Sequence, residues 1–223
     1  KGFEKGTGDI LCWLNSDDMY MPGILYYVAE NISIDKTEIL SANCIHYSET
    51  ADKGVTATGC KTVQYAAEMD LLDADFITQP STFWTRKVWE KTGKLNEQMH
   101  FVFDWEWFIR AKLSGEMNFN YVNKPLSLYR IHDAHKTGVG GNKRELEIME
   151  LFHKFGQEEN VYLFRKLIKD KQILQSKRAG FLRYIYRLFR VKFTEIQLLT
   201  ALYPKTYRKV NPNKLSALFY LAG

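Results

Sequence analysis

Gly8-Asp9-Ile10-Leu11-Cys12-Trp13-Leu14-Asn15-Ser16-Asp17-Asp18 is the stretch on which the reading of this chain turns. Gly8-Asp9 punctuates, and Ile10 to Leu14 form a short apolar run that reads as a buried strand. The run stops at Asn15-Ser16-Asp17-Asp18, and Pro22 then opens a helical pattern, where its missing N–H costs little. Two adjacent carboxylates therefore stand at the carboxyl end of a strand, in the turn before a helix, which is where open α/β sheets bind ligands. Side-by-side carboxylates repel, and a divalent cation relieves the repulsion. Oxygen ligands of this kind suit Mg²⁺ or Mn²⁺, with substrate phosphates completing the shell.

The plainer reading is a turn in which Asn and Asp cap the next helix. The context favours chemistry, because Leu14-Asn15-Ser16-Asp17-Asp18 with Pro22 resembles the metal-binding strand-turn of family 2 glycosyltransferases, which have the GT-A fold. The resemblance implies that Asp17 and Asp18 hold a metal bridging the diphosphate of a nucleotide sugar. Asn15 stands where many members carry a third Asp, so which of Asp17 and Asp18 is the direct ligand stays open.

Composition is consistent with a folded chain. Of 223 residues, 45% are hydrophobic and 26% charged, enough for one domain with a sizeable core or one domain plus an appendage. Cys12, Cys44 and Cys60 are scattered and form no C-x-x-C pair, so they read as small buried hydrophobes of a reducing compartment, and the expected location is cytoplasmic. No apolar run is long enough to span a bilayer, and no signal peptide is recognised. From Lys177 to Gly223 there are ten Lys and Arg against one acid, Glu195, a charge of +9; the whole chain carries +5, leaving residues 1–176 at −4. The opening Lys1-Gly2-Phe3-Glu4-Lys5-Gly6-Thr7-Gly8 resembles the end of the helix that precedes the metal-binding strand in the family. The resemblance covers roughly residues 1–140 and the second half of the usual catalytic domain. It implies that this piece, lacking the base-binding half, has little or no activity alone.

Further elements follow from pattern. Gly23 to Ile32 has helical apolar spacing, Glu38 to His46 reads as a strand, and residues 47–60 as a polar loop or hairpin. Val63 to Leu72 reads as helical in part. Phe76 to Trp84 is β-rich but interrupted by Pro80, which fits an edge or irregular segment. Arg86 to Lys91 reads as a short helix closed by Gly93. Gln79-Pro80-Ser81, Arg86 with Trp89-Glu90, and Leu95-Asn96-Glu97 resemble motifs that the family places along the cleft for donor sugar and acceptor; the resemblance assigns Gln79 and Ser81 to that cleft. Trp84 and Trp89 read as core aromatics.

A second constellation is Phe103-Asp104-Trp105-Glu106-Trp107-Phe108-Ile109-Arg110. Asp104 can cap the helix, with Trp107, Phe108 and Ala111 on an apolar face. A carboxylate at a helix N-terminus is also held rigidly and stays ionised, which suits a general base. The run resembles the family's block whose first Asp deprotonates the acceptor hydroxyl. The match assigns that role to Asp104 and a supporting place in the cleft to Glu106; Phe103 replaces an acid that many members carry there. Asn118 to Ile131 reads as two strands around Lys124-Pro125. Tyr129-Arg130-Ile131-His132, followed by Lys136-Thr137, resembles a segment in which the His ligands the metal and the next loop covers the diphosphate. Imidazole suits Mn²⁺ beside carboxylates. The resemblance thus implies His132 as third ligand and Lys136 and Thr137 as donor-diphosphate contacts; His135 stays open.

From Asn142 the chain reads as helical: Lys143 to Phe155, Val161 to Ser176, and a basic amphipathic stretch over 181–192. That stretch can lie peripherally on the inner face of an anionic membrane or pack on protein; no signature supports nucleic acid. The expected architecture is α/β, a partial GT-A mixed sheet with flanking helices over residues 1–141, followed by a helical basic tail over 142–223. The expected function is inverting transfer of a sugar from a UDP-, GDP- or dTDP-sugar to a hydroxyl of a carbohydrate or lipid-linked acceptor, with Mn²⁺ or Mg²⁺. The rivals are a metal-dependent nucleotidyltransferase, for which no early Gly- and Lys/Arg-rich loop exists, and a non-catalytic carbohydrate-binding or membrane-attached scaffold.

Overall fold

The computed structural model describes residues 2–50, 52, 54–61, 63, 69–132, 140–175 and 194–222. The chain divides into two compact units: residues 1–67 with 76–144, and residues 68–75 with 145–223.

Among the described residues of the first unit, six strands form one mixed sheet flanked by helices, an α/β architecture. The strands are β1 (Ile10–Leu11), β2 (Met19–Tyr20), β3 (Glu38–Thr50), β4 (Gly54–Lys61), β5 (Thr82–Thr85) and β6 (Asn118–Arg130). Their order is β1-β5-β3-β6-β2, with β4 paired to β3 beyond the end of β5. Only β3 and β6 run parallel; the other pairings are antiparallel. The helices are α1 (Gly2–Lys5), α2 (Ile24–Asn31), α3 (Arg86–Thr92) and α4 (Phe103–Leu113).

Alternation along β5 separates the two faces of the sheet. Phe83 points to one side with Leu40, Ala42 and Leu126, where Ile24 and Val28 of α2 and Ile32 just after it close the core; each Phe, Leu, Ile or Val among them contributes about 1.5–3 kcal/mol on burial. Trp84 points to the other side and meets Trp107 and Phe108 of α4 at ring-centroid distances of 5.0 and 6.1 Å. The helix α4 is buried nearly all round, at Trp105, Glu106, Trp107, Phe108, Ile109 and Ala111. This differs from the single apolar stripe expected of it.

Several boundaries differ from expectation for identifiable reasons. β1 is two residues long rather than five. β1 stops opposite Trp84 although β5 runs on through Phe83 and Thr82 to the 3₁₀ turn Gln79–Ser81, and the Trp13 carbonyl accepts from the Gln79 side chain (2.6 Å) instead of from a ladder. Pro80 sits in that turn, so β5 escapes its missing N–H and lies inside the sheet rather than at an edge. Pro22 precedes α2; Met21 to Ile24 make a type II turn with Gly23 at φ 77°, a conformation that favours glycine. Residues 118–130 form one strand rather than two, and the Lys124-Pro125 interruption is absorbed as a register shift against Ala42-Asn43-Cys44. Residues 47–60 are the β3–β4 hairpin, and Gly93 closes α3 at φ 80°.

The second unit is helical among its described residues: α5 (Gly141–Lys154) from Glu145 onward, α6 (Glu158–Gln175), α7 (Glu195–Leu202), α8 (Pro204–Tyr207) and α9 (Pro212–Leu221). Ile148, Leu151, Phe152, Phe164, Leu167, Leu199 and Leu218 are almost fully buried in it. The turn Asp70–Asp73 joins this unit through Asn160, whose Nδ2 donates to Leu72 O (3.0 Å) and Asp73 Oδ1 (2.8 Å). Tyr207 donates to buried Asp170 at 2.6 Å. No helix among the described residues is long and apolar enough to cross a membrane. The amphipathic stretch 181–192 lies outside the described residues, as do 64–68 of the helix expected over 63–72; its described residues, Val63 and 69–72, are not helical.

Candidate functional site

β1 and β2 stand at opposite ends of the sheet order. The segment 12–18 therefore passes from one side of the sheet order to the other, carrying the two carboxylates with it. It is pinned on the way. Asp18 N donates to Asn15 O (3.2 Å), closing a turn. Asn15 Nδ2 donates to Asp18 Oδ2 (3.0 Å) and faces Gln79 Oε1 at 3.4 Å.

The two neighbouring carboxylates have opposite environments. Asp18 is 6% exposed, and its Oδ1 accepts from the backbone N–H of Arg130 at the end of β6 (3.1 Å). Burial pushes its carboxyl above the ordinary value, against the pull of its hydrogen bonds to Arg130 N and Asn15. Asp17 faces outward. Its Oδ2 lies 2.9 Å from His132 Nε2, and both side chains are 37% exposed. The His132 hydrogen bond holds the Asp17 carboxyl below its ordinary value. Tyr47 of β3 donates to Asp17 O (3.4 Å), fixing the backbone beneath the pair.

An oxygen and a nitrogen 2.9 Å apart also match two adjacent ligands of one cation, since metal bonds of about 2.1 Å at a right angle place their ligand atoms about 3.0 Å apart. The pair thus offers one carboxylate oxygen and one imidazole nitrogen, a mixed set closer to the needs of Mn²⁺ than to the all-oxygen preference of Mg²⁺. Among the described residues, no group of three acidic, His or Cys side chains is gathered closely enough to hold a metal unaided.

The start of α4 lies beside the same crossing segment. The rings of Phe103 and Trp13 stack at 6.0 Å and 23°. Phe103 thereby ties the first turn of α4, which carries Asp104, to Trp13. Asp104 is half-buried and its Oδ1 accepts from Trp105 N at 2.9 Å. It does not occupy the cap position, which falls to Val102 without a side-chain cap bond. Asp104 sits within the first turn, where the helix dipole favours its charge.

Two of the residues expected along a cleft are wholly buried. Ser81 is fully buried, its Oγ bonded to Asn43 O (2.7 Å) and Ser127 Oγ (2.6 Å). Glu106 is fully buried and both its oxygens accept from Arg110, at 2.8 and 3.1 Å. Gln79, also expected in the cleft, is 8% exposed and braces the crossing segment. Lys136 and Thr137 lie outside the described residues, as does His135.

No family model matches the chain, and no curated protein matches its sequence.

Sequence reasoning missed the supporting groups: Asn15 as a side-chain partner of Asp18, the Arg130 backbone N–H, the Trp13–Phe103 stack and the Tyr47 hydroxyl. Only Asn15 left a signal, its three-residue spacing to Asp18, which is the spacing of a closed turn.

Proposed function

We propose that this chain carries the metal-holding and base-bearing part of an inverting, family 2-like glycosyltransferase of GT-A type. The observation that supports this reading most is the meeting of Asp17 and His132, which are 115 residues apart in sequence and 2.9 Å apart in space.

In this reading Asp17 and His132 hold Mn²⁺ or Mg²⁺, which when bound would offset the charge that builds on the departing diphosphate of a UDP-, GDP- or dTDP-sugar. Asp104, oriented by Trp105 N, takes the proton from the acceptor hydroxyl as it attacks the anomeric carbon from the face opposite the leaving group. The Trp13–Phe103 stack keeps that carboxylate in register with the segment carrying Asp17. Arg110 and Glu106 keep α4 seated, so that the base does not drift. The acceptor is a carbohydrate or lipid-linked hydroxyl. A location at the inner face of a membrane is part of the same proposal, through the basic stretch 181–192.

The test is a nucleotide-sugar panel with Mn²⁺, read by calorimetry for binding and by nucleotide release for transfer. Asp104→Asn in the full-length protein should reduce transfer by about 10²–10⁴-fold and leave donor binding unchanged. Transfer that survives this substitution would place the base elsewhere. If neither metal nor any nucleotide sugar binds the wild-type protein, the glycosyltransferase reading fails.

A further inference from the structure

The sequence leaves open which of the two adjacent carboxylates meets the ligand. We infer that Asp18 is a positioning residue and not a ligand: it clamps the end of β6 so that His132 is delivered to Asp17. This rests on the metal-holding role proposed for Asp17 and His132.

Three observations carry it. Asp18 Oδ1 accepts from Arg130 N (3.1 Å), two residues before His132. Asp18 Oδ2 accepts from Asn15 Nδ2 (3.0 Å), and Asn15 in turn faces Gln79 Oε1 (3.4 Å), whose Nε2 is fixed on Trp13 O (2.6 Å). Asp18 is a buried residue, 6% exposed, whereas the Asp17 side chain is 37% exposed. A carboxylate has lone pairs beyond those two bonds, but at that burial they are poorly placed for a cation that keeps its waters. The chain of contacts from Gln79 through Asn15 and Asp18 to Arg130 N joins three segments that are remote in sequence: the 3₁₀ turn before β5, the crossing segment and the end of β6. Its product is the Asp17–His132 contact. Residues that orient ligands in this way affect metal affinity by about 10–100-fold when removed.

The experiment compares Asp18→Ala, Asp18→Asn and Asp17→Asn with two readouts. The first is Mn²⁺ affinity by calorimetry. Asp18→Ala should lose about 10–100-fold. Asp18→Asn, whose amide oxygen can still accept from Arg130 N, should recover to within about threefold of wild type. Asp17→Asn should lose binding altogether. Loss with Asp18→Asn equal to that with Asp17→Asn would make Asp18 a ligand and overturn the inference. The second readout is the ¹⁵N resonance of His132 Nε2 in metal-free protein. It should move toward that of a solvent-exposed imidazole in Asp18→Ala and return in Asp18→Asn. An unmoved resonance in Asp18→Ala overturns the clamp. Because this readout needs no metal, it separates failure of the clamp from failure of the metal-site reading. Should Asp18→Ala not fold, Asp18→Leu, which keeps the bulk but offers no acceptor to Arg130 N, takes its place with the same expected shift; no shift there overturns the clamp equally.

Discussion

Arg110→Ala tests how α4 is held. The Arg110 guanidinium donates to both oxygens of Glu106, at 2.8 and 3.1 Å, and also to Thr92 O and Lys94 O at the end of α3. Glu106 is wholly buried and the Arg110 side chain is 28% exposed. Removing the cation leaves a buried carboxylate without its main partner, which costs about 3–5 kcal/mol. The partial exposure of Arg110 puts the expectation at the lower end, about 3 kcal/mol. Tryptophan fluorescence in a urea titration is the assay, because Trp13, Trp84, Trp89, Trp105 and Trp107 all lie in the first unit. The signal therefore reports that unit alone, and the midpoint should fall with little change in slope. Arg110→Lys keeps the charge but not the fork and should recover only part of the loss. Glu106→Ala combined with Arg110→Ala removes the buried charge as well, and should be less damaging than the sum of the single changes. A loss below about 1 kcal/mol for Arg110→Ala would refute the reasoning, since it would equal an ordinary surface pair.

Two other outcomes are expected. The folded Asp17 carboxyl lies below its ordinary value, chiefly through the His132 hydrogen bond. The stability it contributes is therefore present above the unfolded carboxylate pKa and is lost as pH falls through the folded value. A carboxyl ¹³C titration should show a low Asp17 midpoint that rises in His132→Ala; an unchanged midpoint would deny the contact in solution. In the second unit, Tyr207→Phe deletes the hydroxyl that donates to buried Asp170 and should cost about 1.5–3 kcal/mol, as for a hydrogen bond to a charged group. Amide exchange along α6 should accelerate accordingly, and unaltered protection would show that Asp170 relies on Lys166 alone, which stands 3.2 Å away.

Much of the fold was legible because periodicity is local. α2, α3, α4, α5 and α6 follow from apolar spacing and from Gly93, and Phe83 and Trp84 follow from strand alternation. The lengths of β1 and β6 were not legible, because they depend on the partner strand. β1 ends opposite Trp84, after which Trp13 O is taken by the Gln79 side chain rather than by β5, and β6 passes Pro125 because β3 tolerates a shift of register there. In the same way the motifs named Asp17, Asp104 and His132, but not their surroundings. Adjacent residues at a strand end face different ways, and nothing in Asp17-Asp18 says which side is buried. That is decided by Arg130 N, which the fold brings to Asp18 from 112 residues away. The burial of Ser81 and Glu106 is likewise a property of the sheet and of α4, and a motif does not encode it.

The most direct measurement is Mn²⁺ titration of the wild-type protein, Asp17→Asn and His132→Ala, followed by electron paramagnetic resonance with and without UDP. The account predicts that the wild type binds one ion, that UDP tightens it, and that either substitution removes the site while leaving the tryptophan fluorescence spectrum unchanged. Binding that persists through both substitutions, or that answers to neither residue, would contradict it.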